Sequence, residues 1–568
     1  MAKIAAFKVS DFSGGVRRDK SSLEMQKNEL LDARNIEINE RGRIRIRRGG
    51  QQHGQTLTGT IENSATWSRG IGPSTNFLVN NNAATCVISD STTNARVTTA
   101  VITTDTTIVV NSTAGLAASG TVEIEGDLIA YTGVSGGTTL TGVTGITSAH
   151  AVGAAVNQWD TLAQSGTAVD GSMGITYAAL NNILFFGGTG ANIKQLSSAG
   201  VVSDVSGEPS IILLTTYRDR LYGVGDGTSG TNEEGYRVSF SARGDGTSWT
   251  PASDYFDVFG ASSEYVSALK VHKDVLGIFK MFSIFTYDEV ELKERIVQIG
   301  AYNQKVVQEV NGDIYTFCPN GIFLTNFFSA KQIGEPVREY WENFVPQFDS
   351  TGRVVTNVWA ASFMNSYLLF LGSITSPTTD SNVVLEYNTL SKNWTVHQGG
   401  FNSFVHLNGF QVMTFGDKNQ TYGSYLIGGD STGKVWKMYS NKYRASNNTV
   451  YGGDLFQDLL SDTGSPVSAS FETPLYDMTY PELFKKFKNL RVLTERGVWM
   501  VEYRIENETG MVTQYKNLGS TKNRNCTLPF PSEAQGYRIG FRFSSVNTAA
   551  QSIFNGFVIE DTDVLSRP

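Results

Sequence analysis

The sequence predicts an all-β fold: a β-propeller with an inserted small β module, a C-terminal β-sandwich-like domain and one short N-terminal helix. Three observations lead there. Between Ile183 and Ile427 a polar or glycine turn followed at once by a short apolar strand recurs six times. Charged residues make up only 18% of the chain and glycines number 58, which favours strands and turns over long helices. Aromatic residues reach 11%, a share that suits sheets packed against one another.

The recurring phrase reads Asn181, Asn182 before Ile183, and Asp219, Arg220 before Leu221. It returns as Lys273, Asp274 before Val275 and Leu276, and as Gly312, Asp313 before Ile314. The last two are Asn365, Ser366 before Tyr367 and Leu368, and Gly423, Ser424 before Tyr425 and Leu426. A repeat of about 40 to 50 residues built from short strands is the period of propeller blades. Trp249 and Trp394 each follow a polar hairpin turn, which places them on returning strands where an indole can wedge between blades.

Composition divides the chain into four parts. Residues 1–65 hold an arm, a helix capped by Ser21 or Ser22 and running to Leu31, and a basic strand. Residues 83–158 form an inserted threonine-, glycine- and alanine-rich β module. The propeller occupies 160–460, and 465–568 form a C-terminal β domain. There the alternation of Tyr537 through Phe543 marks a half-buried antiparallel strand. A competing assignment makes these last strands a final blade that closes the ring with N-terminal strands.

The net charge of -8 is unevenly spread, with no lysine or arginine from Val97 through Ile193. Such a stretch cannot grip phosphate, because phosphate binding works through cations that displace counterions. The opposite character appears at Arg41, Arg43, Arg45 and Arg47, followed by Arg48. Their alternation with Gly42, Ile44 and Ile46 predicts four arginines on one strand face. A solvated or salt-bridged strand explains this pattern, as does a contact with a neighbouring subunit or nucleic acid. Arg41, Arg43, Arg45 and Arg47 are therefore the candidate subunit-interface residues.

Catalytic, cofactor and metal sites are not signalled. Cys86, Cys318 and Cys526 have neither paired spacing nor nearby histidines. His53, His150, His272, His397 and His406 fall in no ligand spacing, and the glycine pairs lack the lysine and hydroxyl of a phosphate loop. No apolar stretch approaches the ~18 residues that span a membrane, and no signal-peptide core is seen. The expectation is a soluble, non-enzymatic protein made in a reducing compartment.

A resemblance sharpens this reading. The turn Phe12, Ser13, Gly14, Gly15, the segment ending Ala33, Arg34, Asn35, and the basic strand from Arg43 to Gly49 resemble the start of tail proteins of double-stranded DNA bacteriophages. The stretch Ser239 to Trp249 with Tyr255 to Val258, and Phe471, Glu472, Thr473, Pro474, are similar to later phrases of the same group. The family is the β-propeller tail nozzle, or packaged-DNA-stabilising tail tube protein, of short-tailed phages.

The resemblance implies a homohexameric ring at the distal end of the tail channel, which retains packaged DNA and conducts it at ejection. It further implies head-to-tail adaptor proteins and tail fibres or spikes as partners, passing contact with double-stranded DNA, assembly in the host bacterial cytoplasm and residence in the virion tail. An alternative is a receptor- or glycan-binding tail propeller that attaches to the host surface. A third reading, a propeller hydrolase acting on envelope polysaccharide, lacks a catalytic constellation in the sequence.

Overall fold

A computed structural model describes residues 3–39, 41–47, 50–52, 54–67, 75–82, 85–90, 95–125, 127–161, 176–188, 193–196, 201–207, 210–225, 235–259, 264–348, 353–354, 358–363, 365–374, 380–397, 404–412, 423–430, 432–442, 461–462, 465–522, 525–546 and 552–565. The chain is nearly all β, 53% strand and 3% helical. Most of it is a succession of antiparallel meanders, each strand pairing with the next.

Among the described residues, seven such meanders follow one another. The first joins Thr60–Trp67, Thr75–Asn82 and Thr85–Asp90 to Asp160–Thr161, and the second runs from Thr176–Leu180 to Val202–Asp204. The third starts at Ile211–Tyr217 and carries a fifth strand. The fourth runs from Ala268–His272 to Leu292–Val297, the fifth from Gln308–Val310 to Ala330–Gln332, and the sixth from Trp359–Phe363 to Asn393–His397. The seventh takes Phe404–Val412, Gly423–Asp430 and Val435–Lys442, and borrows Gly50–Gln52 from the N-terminal segment as its fourth strand.

The recurring sequence phrase is the turn between the first and second strands of these sheets. Asn181 and Asn182, Arg218 and Asp219, and Lys273 and Asp274 all have positive φ, as does the Asn311–Gly312 pair. Two successive left-handed residues make the turn whose twist matches the strands it joins. An aliphatic residue near the start of the second strand is then pulled into the core, as Leu184, Leu221, Leu276 and Ile314 are.

Neighbouring sheets are held by apolar clusters that straddle them. Phe185 and Ala178 of the second sheet meet Leu214, Leu221 and Trp249 of the third. Tyr222 and Val238 of the third meet Leu276, Ile278 and Phe285 of the fourth. Trp394 is buried in the cluster shared by the fourth to sixth sheets and donates its indole N–H to Ile333 O at 2.8 Å. Burying each such side chain contributes about 1.5–3 kcal/mol.

The first strands also form a circuit. Thr176–Leu180 lies against Thr60–Trp67 on one side and Ile211–Tyr217 on the other, which in turn touches Ala268–His272. Gln308–Val310 touches Trp359–Phe363, which touches Phe404–Val412, which returns to Thr60–Trp67. Between the fourth and fifth sheets, Gln304 bridges with both ends of its amide, accepting from Leu269 N at 2.6 Å and donating to Leu269 O at 2.7 Å.

Two further sheets enclose a second core. In one, Asp32–Arg34 lies between Asn393–His397 of the sixth meander and Ser468–Glu472, and the sheet continues through Arg538–Val546 and Trp499–Glu506 to Lys516–Ser520. In the other, Ile36–Ile38, Ile44–Ile46 and Phe7–Val9 join Ile553–Glu560, Asn489–Arg496 and Cys526–Pro529. Phe12, Phe471, Trp499, Phe543 and Phe554 fill the space between, with Phe471 stacked on Phe543 at 5.0 Å.

The sheets cross the boundaries read from composition. Residues 1–65 are not an arm of their own, since they supply strands to both sheets of the C-terminal core and to the seventh meander. Thr85–Asp90, assigned above to the inserted module, is a strand of the first meander. The module proper has its own apolar core, Val97, Ile108, Val122, Ile129, Leu140 and Val156 among others. It rises from a stem in which Ser89 pairs with Thr161 and Asp90 with Asp160.

The helix expected from Ser21 or Ser22 to Leu31 does not form. Glu24 accepts from Ser21 Oγ at 3.0 Å, and Glu29 accepts from Gln26 N at 2.7 Å, so the capping signals are consumed within single turns. Leu30 is then drawn into the core on Glu29–Leu30, a strand parallel to Gly15–Val16. Among the described residues the α-helix is Arg338–Trp341 instead.

Candidate subunit interface at the arginine hairpin

Ile36–Ile38 and Ile44–Ile46 form a hairpin in register Ile36 to Ile46, Glu37 to Arg45 and Ile38 to Ile44. Alternation sends the four isoleucines inward and leaves Glu37 and Arg45 on the outer face, joined through Arg45 Nε and Glu37 Oε2 at 2.6 Å. At the tip, Asn39 Oδ1 accepts from Arg41 N at 3.0 Å and from Arg43 N at 2.9 Å. Gly42 has φ +70°, and a Cβ there would strike Asp11 Oδ1, so the turn needs glycine and is fixed against Asp11.

The four candidate arginines do not share a face. Arg41 and Arg43 are exposed, Arg45 is half-buried, and Arg47 has no exposed surface. The strand ends at Ile46, and Arg47 turns inward to Asn35, donating from Nε to Asn35 Oδ1 at 3.0 Å and from its backbone N to Asn35 O at 2.8 Å. Asn35 has φ +55°, a left-handed break between two strands that the alternation could not anticipate.

Asn35 is the joint of the fold. Its backbone N donates to Val396 O of the sixth meander at 2.9 Å, and its side-chain Nδ2 donates to Ser468 O of the C-terminal core at 2.9 Å. Close by, Ser366 Oγ donates to Glu386 Oε1 at 2.5 Å and His397 Nε2 lies 2.6 Å from Glu386 Oε2. Burial pushes the Glu386 carboxyl up, but the His397 and Ser366 contacts with the nearby Arg45 charge outweigh it and hold the group below its ordinary value. The serine contacts the acid rather than the imidazole, so this is a charge-balancing cluster, not a nucleophile with its base.

Chemically, the hairpin offers two exposed guanidinium groups on a rigid tip. A guanidinium presents parallel N–H donors that match a carboxylate or phosphate. Elsewhere arginines are commonly paired within the chain, as Arg237 is with Asp257 at 2.7 Å and Arg538 with Glu506 at 2.6 Å. Among the described residues, no acid lies within ion-pair distance of Arg41 or Arg43.

The other groups weighed in the sequence are placed apart. His150 of the module lies between Glu125 and Asp127, 3.0 Å from each. His272 is buried against Phe327, Cys318 is buried and Cys526 half-buried. Arg48 and His53 fall outside the described residues, as do the side chains of Cys86 and His406. Among the described residues no three His, Cys, Asp or Glu side chains converge to hold a metal, and no helix is long and apolar enough to cross a membrane. Sequence reasoning missed Asn35 as the structural joint, although an asparagine between two short strands is a signal for a left-handed residue.

No family model matches the chain, and no curated protein matches it. Among solved structures, PorZ, a surface component of the type-IX secretion system of Porphyromonas gingivalis, is 11% identical over 84% of this chain and 48% of its own, with a TM-score of 0.32. The extracellular domain of the one-component system BT4673 from B. thetaiotaomicron is 11% identical over 70% of this chain and 48% of its own, at 0.26. Sqt1 of Saccharomyces cerevisiae is 12% identical over 47% of this chain and 95% of its own, at 0.25. The chain thus spans about half the length of the first two, and at these scores the likenesses carry no functional argument.

Proposed function

We propose that this chain is a non-enzymatic structural subunit of a bacteriophage tail, a propeller nozzle of seven blades that assembles as a homohexameric ring and retains packaged DNA until ejection. One observation carries the reading. The phrases that resemble tail nozzle proteins, Phe12 to Gly15, Ala33 to Asn35 and the basic strand from Arg43, lie far from the later phrase Phe471 to Pro474 in sequence, yet they meet at one joint. There Phe12 packs on Phe471 at 5.7 Å, and Ala33 pairs with Phe471 across the sheet. A motif set that serves to weld two β bodies into one rigid unit suits a subunit that bears load rather than turning over a substrate.

In this reading Arg41 and Arg43 meet acids of the neighbouring subunit, and adaptor proteins, fibres or spikes dock elsewhere on the ring. The decisive experiment compares particles made with and without the chain. Particles lacking it should package DNA and then lose it, with full capsids early and empty ones later by electron microscopy. Stable, infectious particles without the chain would overturn the reading.

A second reading, attachment to a receptor or glycan on the host surface, is favoured by the module standing on its own stem at Asp90 and Asp160. Binding of the purified protein to host envelope glycans, lost on removal of the module, would support it over the nozzle.

A further inference from the structure

We infer that residues 11–20 form a strap that couples the meander sheets to the C-terminal core, and that Arg18 is the latch of its far end: releasing Arg18 frees residues 17–20 from the helix Arg338–Trp341, while Ser13 and Gly15 keep their contacts with Asn393 and both bodies stay folded. The inference does not depend on the tail reading.

The strap is anchored differently at its two sides. Towards the C-terminal core its anchors are apolar. Phe12 packs on Phe471 and on Phe554, at 5.7 and 5.9 Å, and Val16 with its partner Leu30 is fully buried in the same cluster. Gly15, at φ +64°, lies so close to the sixth meander that a Cβ would come within 2.6 Å of Asn393 Cβ.

Towards the meander sheets the strap's hydrogen bonds and ion pairs do the holding. Ser13 O accepts from Asn393 Nδ2 at 3.1 Å, and Arg18 N donates to Pro336 O at 2.9 Å. The Arg18 guanidinium reaches Glu339 Oε2 at 2.7 Å and Asp32 Oδ1 at 2.9 Å, and lies 4.9 Å from the centre of the Tyr340 ring.

Glu339 and Tyr340 belong to the helix Arg338–Trp341, whose Tyr340 and Trp341 are rooted in the cluster of the fourth to sixth sheets. Asp32 pairs with Glu472 of the C-terminal core, on a strand whose other edge meets Val396 of the sixth meander. Arg18 therefore sits between a residue of each body, with Arg34 Nε on the other oxygen of Asp32 at 3.0 Å. Burial raises the Asp32 carboxyl, yet Arg18 and Arg34 outweigh it and keep the group below its ordinary value.

The asymmetry decides which side gives way. Apolar anchors have no substitute in water, whereas charge-assisted bonds at a partly open site can be exchanged for hydration. Glu339 is 36% exposed, so water reaches the latch from the helix side. Loss of Arg18 leaves Asp32 paired to Arg34 and leaves the Phe12, Val16 and Leu30 anchors untouched, so the break is confined to the strap and the helix.

Amide hydrogen exchange on the full chain tests this with Arg18→Met, which keeps the stem of the side chain, and Glu339→Gln, which keeps its shape. In Arg18→Met, exchange at residues 17–20 and 337–342 should rise about tenfold or more, the scale of a lost charge-assisted contact. Exchange in Arg538–Val546 and Val275–Phe279 should stay at the wild-type rate. Glu339→Gln should give the same pattern with a smaller rise, and it decides the matter if Arg18→Met does not fold. Unchanged exchange at the strap and helix, or a rise throughout the chain, would overturn the latch.

Discussion

Arg47 is fully buried, and its guanidinium donates to the side-chain oxygen of Asn35 at 3.0 Å while its backbone donates to Asn35 O at 2.8 Å. A buried guanidinium that holds a left-handed asparagine in place is part of the fold. Truncating it as Arg47→Ala removes the guanidinium donor to Asn35 Oδ1 and empties a large volume, which should cost about 3 kcal/mol of stability. The denaturant midpoint of the purified subunit measures this, and a midpoint equal to wild type would show that Arg47 is dispensable.

Arg41 and Arg43 should behave in the opposite way. Both are exposed and pair with no acid among the described residues, so replacing both with serine should change the stability of the isolated subunit by no more than about 0.5 kcal/mol. If they serve assembly, the mass of the assembled particle should fall to that of the lone subunit. A ring of unchanged mass would remove the hairpin tip from the interface.

Gly15→Ala tests the welded joint. The position has φ +64°, and the new Cβ would lie 2.6 Å from Asn393 Cβ, so both backbone strain and a clash oppose it. Left-handed strain alone costs about 1–3 kcal/mol, and the clash adds to it. Thermal unfolding should fall by several degrees, with the loss monitored by near-ultraviolet dichroism from the aromatic cluster around Phe12. An unperturbed melting curve would mean that the strap can shift away from Asn393.

Some of this architecture is legible in the sequence, and the reasons are local. The pairs Asn181 with Asn182 and Lys273 with Asp274 announce hairpins because their chemistry suits left-handed turns, and the apolar run beyond each is buried from its second residue, Leu184 and Leu276. The tryptophans after polar turns, Trp249 and Trp394, could likewise be placed between sheets, because they are the largest side chains on strands that return to the core.

What could not be read is long-range pairing. Gly50, Gln51 and Gln52 carry no apolar alternation, yet they pair with Met438, Lys437 and Trp436. Nothing within their own neighbourhood specifies that partner. The same is true of Asp32–Arg34, which sits between strands from the sixth meander and the C-terminal core. The arginine face failed at Arg47 because alternation assumes a strand that persists, and this one ends at Ile46. The helix failed because Ser21 and Glu24 satisfy each other within one turn while Leu30 is claimed by the core. Tertiary burial overrides a local capping signal whenever the two compete.

The module should be removable. Its apolar core closes on itself, and Asp90 and Asp160 are already paired neighbours at its base. Deleting residues 91–159 and joining the ends with a short glycine-serine linker therefore asks the chain to close a hairpin it has already made. The remaining chain should be expressed as a folded protein with its β circular-dichroism signal intact. Loss of soluble expression would show that the module supports the first meander.

Lys485 gives the fold a pH dependence of predictable sign. Its ammonium is enclosed and donates to three main-chain carbonyls, Tyr480 O at 2.5 Å, Leu483 O at 2.9 Å and Tyr537 O at 2.8 Å. Asp477, Glu482, Glu506 and Arg538 are the surrounding charges. Burial dominates and pulls its pKa down from 10.5 to about 8, with the acids opposing. The folded state thus gives up this proton more readily than the unfolded chain does. Between about pH 8 and 10.5 the unfolded chain binds more protons, so the contribution of Lys485 to stability rises with pH across that window and is flat below it. The rise should be at most about 3 kcal/mol, and less to the extent that water reaches the site. Other groups titrate in the same range, so the quantity to measure is the difference between wild type and Lys485→Met. Relative to the variant, the wild type should gain stability from pH 8 to 10.5, as read from urea midpoints. A difference that stays constant across the window would mean that the ammonium is as well solvated by its three carbonyls as by water.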